Sequence, residues 1–200
     1  MPPAPAAREK VLDAFETILV EHGERTATLD AVAEAAGVSK GGLLYHFGSK
    51  QALVEGLSER LTALIDTDVA SMRAAPEGPA AFYVRSSLYT GSPLDRTIIA
   101  TSRLAQGSYQ SAVQILRTMR QRWFDVIVES VEDAAVARAV MLLGDGLYYN
   151  AALNGEWVHE ATGTAPTDYA PVDVDELLAV LDDLIRARAA PGRSWMSSSE

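Results

Sequence analysis

Two hundred residues, 48% of them hydrophobic, suffice for one large domain or two small ones with a proper core. Cysteine is absent and no run of 18 apolar residues occurs, which excludes disulfides, thiolate metal sites and a membrane-spanning helix. The formal charge of −10 argues against a polyanionic partner until its distribution is read: residues 1–124 hold 13 Lys/Arg and 13 Asp/Glu, and residues 125–200 hold 4 and 14.

Residues 1–7 are rich in Pro and Ala and are expected to be disordered, and MPPAPAAREK lacks the apolar stretch of a secretory signal. A first helix is predicted over 8–22. Val11, Leu12, Phe15, Ile18 and Leu19 form its apolar stripe, and Glu9, Asp13, Glu16 and Glu21 occupy the other face. Gly23 ends it. The stretch TLDAVAEAAGVSKGGLLYHFGSK, residues 28–50, reads as two short helices, a tight turn and the start of a longer helix. Thr28 is an N-cap, with Asp30 in the first turn where the dipole favours a carboxylate. Leu29, Val32, Ala33 and Ala36 recur at helical spacing. Gly37 suits a left-handed helix stop, Ser39 is a second N-cap, and Ser49 caps the next helix. Helix, short turn with Gly, helix is the helix-turn-helix pattern. From Ala35 to Gln51 there is no carboxylate, while Lys40, His46 and Lys50 are present, so this face is locally positive on an acidic molecule.

GVSKGGLLYHFGSKQAL closely resembles the DNA-binding signature of the tetracycline-repressor (TetR) family of bacterial transcription regulators, with capping, turn, aromatic and lysine positions agreeing together. The resemblance covers about the first quarter of the chain. It implies an all-helical homodimer: an N-terminal three-helix helix-turn-helix domain followed by a larger helical ligand-binding and dimerisation domain. One position departs from the family: Leu44 stands where members commonly carry Tyr, and the Tyr-His pair falls at 45 and 46. The expected DNA-contacting residues are Thr28, Ser39, Lys40, Gly41, Leu44, Tyr45, His46 and Lys50. Lys40 opens the recognition helix, whose N-terminal residues commonly face base edges. Lys50 opens the following helix, where free N–H groups can also hold a phosphate. Against this stands the ordinary role of a surface lysine as a solvated charge. Leu43 and Phe47 are expected to pack inside. Gly41 and Gly42 each cost ~1 kcal/mol relative to Ala in a helix. Either the DNA backbone approaches closely there, or the helix is frayed until it binds.

A long helix is predicted over 49–73 on Leu53, Leu57, Leu61, Leu64, Ile65 and Val69, ended by AAPEGP. Two short helices follow over 79–90 and 94–106, split by Gly91-Ser92-Pro93 with Ser92 as cap. Helix seven is predicted over 109–131 and helix eight over 133–154, the latter apolar on more than one side and therefore buried or at an interface. Residues 155–172 show no helical period, and a connection this long is functional or mobile. A last helix over 172–188 carries Val174, Leu177, Leu178, Leu181, Leu184 and Ile185 as its stripe, and the tail is expected to be disordered. The domain boundaries expected are 1–7 disordered, 8–52 DNA-binding, 53–190 effector-binding and dimerisation, and 191–200 disordered.

The downstream domain carries many aromatics, most of which in helices are core. Trp123, Phe124 and Tyr148 are the expected walls of an apolar ligand pocket, with Asn150 or Arg120 as polar contact and the segment around Trp157 and His159 as a lid. Gly37-Val38-Ser39-Lys40-Gly41 matches G-x-S-x-G, but that motif needs a preceding strand, and a helix precedes it here. The three His are scattered and lack ligand spacing, so no metal and no cofactor is expected. The sequence therefore favours a cytoplasmic, homodimeric regulator that is not an enzyme, most often a repressor in the family resembled. Its partners would be double-stranded operator DNA with an inverted repeat and an unknown small-molecule effector. The alternatives are an effector-independent helical DNA-binding protein and, with no nucleophile–base pair to support it, a helical enzyme.

Overall fold

The computed structural model describes residues 4–107, 109–153 and 173–189, and among these all regular structure is helical. In chain order the helices are α1 Ala4–His22, α2 Leu29–Ala35, α3 Lys40–His46, α4 Lys50–Ala74, α5 Pro79–Ser86, α6 Pro93–Gln106, α7 Gln110–Val131, α8 Ala134–Leu153 and α9 Val174–Ala189. The all-α expectation holds. Two bounds differ by more than two residues: α5 ends at Ser86 and not at 90, and α1 begins at Ala4, so residues 4–7 are helical rather than irregular. Pro5 lies in the first turn, where its missing N–H is no loss, and Ala4, Ala6 and Ala7 are strong helix formers. None of the described helices is long and apolar enough to cross a membrane. The segment 155–172 and the tail 191–200 lie outside the described residues.

The chain divides into two compact units, one comprising the chain to Asp68 with Thr90–Gln121, the other Val69–Tyr89 with the chain from Arg122 onward. The first unit is built on α1, which packs against α2, α3 and α6. Its core joins Leu12, Phe15 and Leu19 of α1 to Val32, Leu43, Phe47, Leu53, Leu57 and, from α6, Ala100 and Leu104. Each large apolar side chain buried there contributes about 1.5–3 kcal/mol against solvation.

Glu16 lies on the face of α1 opposite the apolar stripe, yet it is not solvated. It is buried, because α6 lies over that side of α1. The hydroxyl of Thr97 donates to its Oε2 at 2.7 Å, and the guanidinium groups of Arg60 and Arg96 each approach it at 3.5 Å. Arg60 also pairs with Glu9 and Asp13, at 2.7 and 2.8 Å. The Arg60 hydrogen bond is the main reason the Glu9 carboxyl is held below the ordinary carboxylate range. A buried carboxylate is tolerable only with partners of this kind. Together they tie α1, α4 and α6.

In the second unit α5 packs on α8, and α9 packs on both. Gly144 permits the first contact: a Cβ there would lie 2.5 Å from both Ser87 Oγ and Tyr83 Cε1. Arg85 pairs with Asp175 at 2.6 Å, and Arg188 pairs with Asp133 at 2.9 Å. Asp133 caps α8 by accepting from the backbone N–H groups of Ala135 and Val136. Those backbone donors and then Arg188 hold its carboxyl below the usual value. Leu142 and Tyr149 of α8 and Val180 and Leu184 of α9 remain exposed.

Candidate nucleic-acid interface

The helix-turn-helix consists of α2, its turn and α3. The Thr28 hydroxyl accepts from Ala31 N at 3.2 Å and starts α2. After Ala36, Gly37 adopts φ +64°, and Val38 N–H reaches back to the Ala33 carbonyl at 3.0 Å. This left-handed stop with a six-residue return bond ends the helix and turns the chain. The Ser39 hydroxyl then accepts from Gly42 N at 3.0 Å and starts α3. Both caps stand where the residue types place them.

On α3, Leu43 is fully buried and Phe47, its C-cap, is nearly so, as expected, and these two anchor one side of the helix. The other side is open. Tyr45 is 83% exposed, Leu44 and Gly41 are exposed, and His46 is half-buried with its ring edge-on to Tyr45 at 5.1 Å. The tyrosine at 45 therefore offers the aromatic surface that Leu44 lacks. The two glycines differ in cause. A Cβ on Gly42 would meet the Ser39 Oγ at 3.3 Å, so the cap itself favours glycine there. Gly41 has only that oxygen, at 4.0 Å, and leaves a bare stretch of backbone on the open side.

The lysines are not equivalent. Lys40 is exposed, and its ammonium lies 2.8 Å from Asp30 of α2. That pair costs little to exchange, because exposed ion pairs are worth about 0–1 kcal/mol. Lys50 is turned inward: its side chain is 25% exposed, and Nζ donates to Glu24 Oε1 at 2.5 Å and to the Glu24 carbonyl at 2.8 Å. The Tyr109 ring centroid lies 6.0 Å from the same nitrogen. The Lys50 hydrogen bond is the largest cause holding the Glu24 carboxyl below its ordinary range. Arg25, beside Glu24, is an exposed cation that the sequence pattern did not single out, since it precedes the capped stretch. No ion pair holds it among the described residues.

Three of the residues expected to line a ligand pocket have a ring or cation beside them. Trp123 is buried edge-on against Tyr83 at 5.5 Å. Phe124 is half-buried, with the Arg138 guanidinium 5.2 Å from its ring centroid. Tyr148 meets Tyr89 edge-on at 6.3 Å. Asn150 is half-buried on α8, and Arg120 is exposed on α7. Trp157 and His159, expected in the lid, lie outside the described residues.

Residues 11–57 match the family of bacterial regulatory proteins described as the tetR family. The HTH-type transcriptional regulator BetI of Escherichia coli (strain SE11) is 25% identical over 189 residues, covering 83% of this chain and 95% of the relative. The HTH-type transcriptional repressor KstR2 of Rhodococcus jostii (strain RHA1) is 40% identical over 48 residues, 24% of each chain. In fold, a crystal structure of a transcriptional regulator from Rhodococcus sp. Rha1 matches with a TM-score of 0.61 at 20% identity, covering 90% of this chain and 96% of that one. The matched residues hold the whole capped helix-turn-helix within an all-helical chain, so residues 11–57 are similar to the tetR family of bacterial regulatory proteins and the chain around them shares the fold of a transcriptional regulator.

Proposed function

We propose that this protein is a cytoplasmic, homodimeric, sequence-specific transcriptional repressor, released from an inverted-repeat DNA operator by a small-molecule ligand. The observation that carries the DNA-binding part is the two-sidedness of α3. Leu43 and Phe47 fix the helix from within, and Gly41, Leu44 and Tyr45 are left open beside Lys40. Thr28 and Ser39, each exposed at a helix start, can offer their hydroxyls to phosphate while capping. Tyr45 and His46 supply the readout of bases. Residues 8–52 act as the DNA-binding portion and 53–190 as the effector-binding and dimerisation portion.

Support for the dimer comes from Leu142, Tyr149, Val180 and Leu184, apolar side chains exposed on two helices that pack together. A second copy would cover them, and a two-fold pair of α3 helices reads two half-sites. The effector reading keeps Trp123, Phe124, Tyr148, Asn150 and Arg120 as the ligand-contacting set. The ligand would favour a dimer whose two α3 helices no longer match the operator spacing. Selection of sites from random DNA with the purified protein tests the first part. An inverted repeat is the expected product, and His46→Ala changes the preferred bases. Recovery of no site, or of asymmetric sites only, refutes the reading. A screen for small molecules that release the selected DNA tests the second. A protein that no compound releases is an effector-independent DNA binder.

A further inference from the structure

The group around Lys50 suggests a use for this lysine other than holding DNA. Glu24 lies in the turn between α1 and α2, Lys50 is the first residue of α4, and Tyr109 stands between α6 and α7. The Glu24 carbonyl that receives the Lys50 ammonium at 2.8 Å also accepts from Ala27 N at 3.3 Å and so closes the 24–27 turn. That turn delivers Thr28 to its capping position. The Glu24 carboxylate receives the ammonium and also the Tyr109 hydroxyl, at 3.4 Å. Its methylene packs beside Gly107, where a Cβ would come within 3.1 Å of Glu24 Cγ. Moving the ammonium to a phosphate would exchange one anion for another. It would also leave Glu24, itself 24% exposed, without its cation beside a polyanion.

We propose that Lys50, Glu24 and Tyr109 form a clamp that sets the turn entering α2, and with it the pose of α3, according to the position of the α6–α7 junction. Lys50 then serves DNA binding as a positioning residue and not as a phosphate ligand. The clamp rests on the DNA-binding reading above for its purpose, though not for its existence.

The test uses the full-length protein and the DNA recovered by selection, with dissociation constants measured across a range of NaCl concentrations for wild type, Lys50→Gln, Glu24→Gln, the double variant and Tyr109→Phe. Each single substitution at 24 or 50 is expected to weaken binding roughly fivefold, as for a partly exposed pair. The double variant should be no weaker than either single. The slope of log K against log salt should stay at the wild-type value. Tighter binding by Glu24→Gln overturns the proposal, because Glu24 would then be competing with DNA for the lysine. A slope reduced by about 0.9 in Lys50→Gln also overturns it, since that is the signature of one lost phosphate contact. Amide hydrogen exchange gives a readout without DNA. Ala27 and Ala31 should exchange faster in Glu24→Gln, Lys50→Gln and Tyr109→Phe, and wild-type protection in any of the three breaks the clamp. If the wild-type protein selects no DNA, the regulator reading fails while exchange at these amides still decides the clamp.

Discussion

Gly56 is a position where a single methyl group should disturb the packing of the helix-turn-helix. It is buried in α4, and a Cβ built there would lie 2.7 Å from Phe47 Cε1, 3.2 Å from Leu12 Cδ2 and 3.4 Å from Phe47 Cζ. Carbon atoms settle at about 3.5–4.0 Å, so the Phe47 ring must retreat by roughly 1 Å. It has little room, being nearly buried and covered by the Arg8 guanidinium 5.3 Å from its centroid. Overpacking of this kind costs about 1–3 kcal/mol. The better helix propensity of alanine returns about 1 kcal/mol. The net expectation for Gly56→Ala is therefore a loss of about 1 kcal/mol, or roughly 4–8 °C in Tm for a unit of this size. Far-UV circular dichroism with heat and urea reads it. Because Phe47 is also the C-cap of α3, its N–H bonded to the Leu43 carbonyl at 2.8 Å, the displacement reaches the recognition helix. Affinity for selected DNA should fall at a temperature where the variant is still folded. A Gly56→Ala protein that melts above wild type would refute the reasoning, since propensity would then have outweighed the contact with Phe47.

The complementary case is Gly146 in α8, which is exposed with nothing within 4 Å of its added Cβ; Gly146→Ala should raise stability by about 1 kcal/mol in the same melts. For the dimer, Val180→Asp with Leu184→Asp should give folded monomers by sedimentation equilibrium and lose binding to selected DNA, whereas Leu181, covered by its own chain, is a poor probe because Asp there would disturb folding. A double variant that remains dimeric would remove α9 from the interface. Acid stability should also respond at Glu24. Its folded carboxyl is held below its ordinary value of 4.5, so its contribution is complete above that pH and is lost as pH falls through the lower folded value. Urea midpoints measured from pH 6 downward should therefore fall less steeply in Glu24→Gln, and parallel curves would contradict the pairing.

What could be read in the chain was local. The caps Thr28 and Ser39, the stop at Gly37 and the inward Leu43 and Phe47 are consequences of residue type at short range, and each stands as the pattern requires. What escaped was set by partners distant in sequence. Glu16 reads as one more acid opposite the apolar stripe until Thr97, 81 residues later, is seen to cover it. Lys50 reads as a free cation because Glu24, 26 residues earlier, belongs to a turn whose geometry no periodicity reports. Helical spacing tells which side of a helix is apolar, but not which polar side chain on the other side meets a second helix.

The first unit is discontinuous along the chain, and this has a consequence for how the protein is made. Its core closes only when Ala100, Leu104 and Ala112 are laid against α1, so a nascent chain that has just released residues 11–57 from the ribosome still lacks one wall. Contacts of such long sequence separation form late and slowly. In the interval the apolar stripe of α1 and the α4 side chains Leu53 and Leu57 are open to solvent and to chaperones. A fragment ending at the matched domain should inherit that same exposed wall, and should be rescued from aggregation when residues 90–121 are supplied in trans.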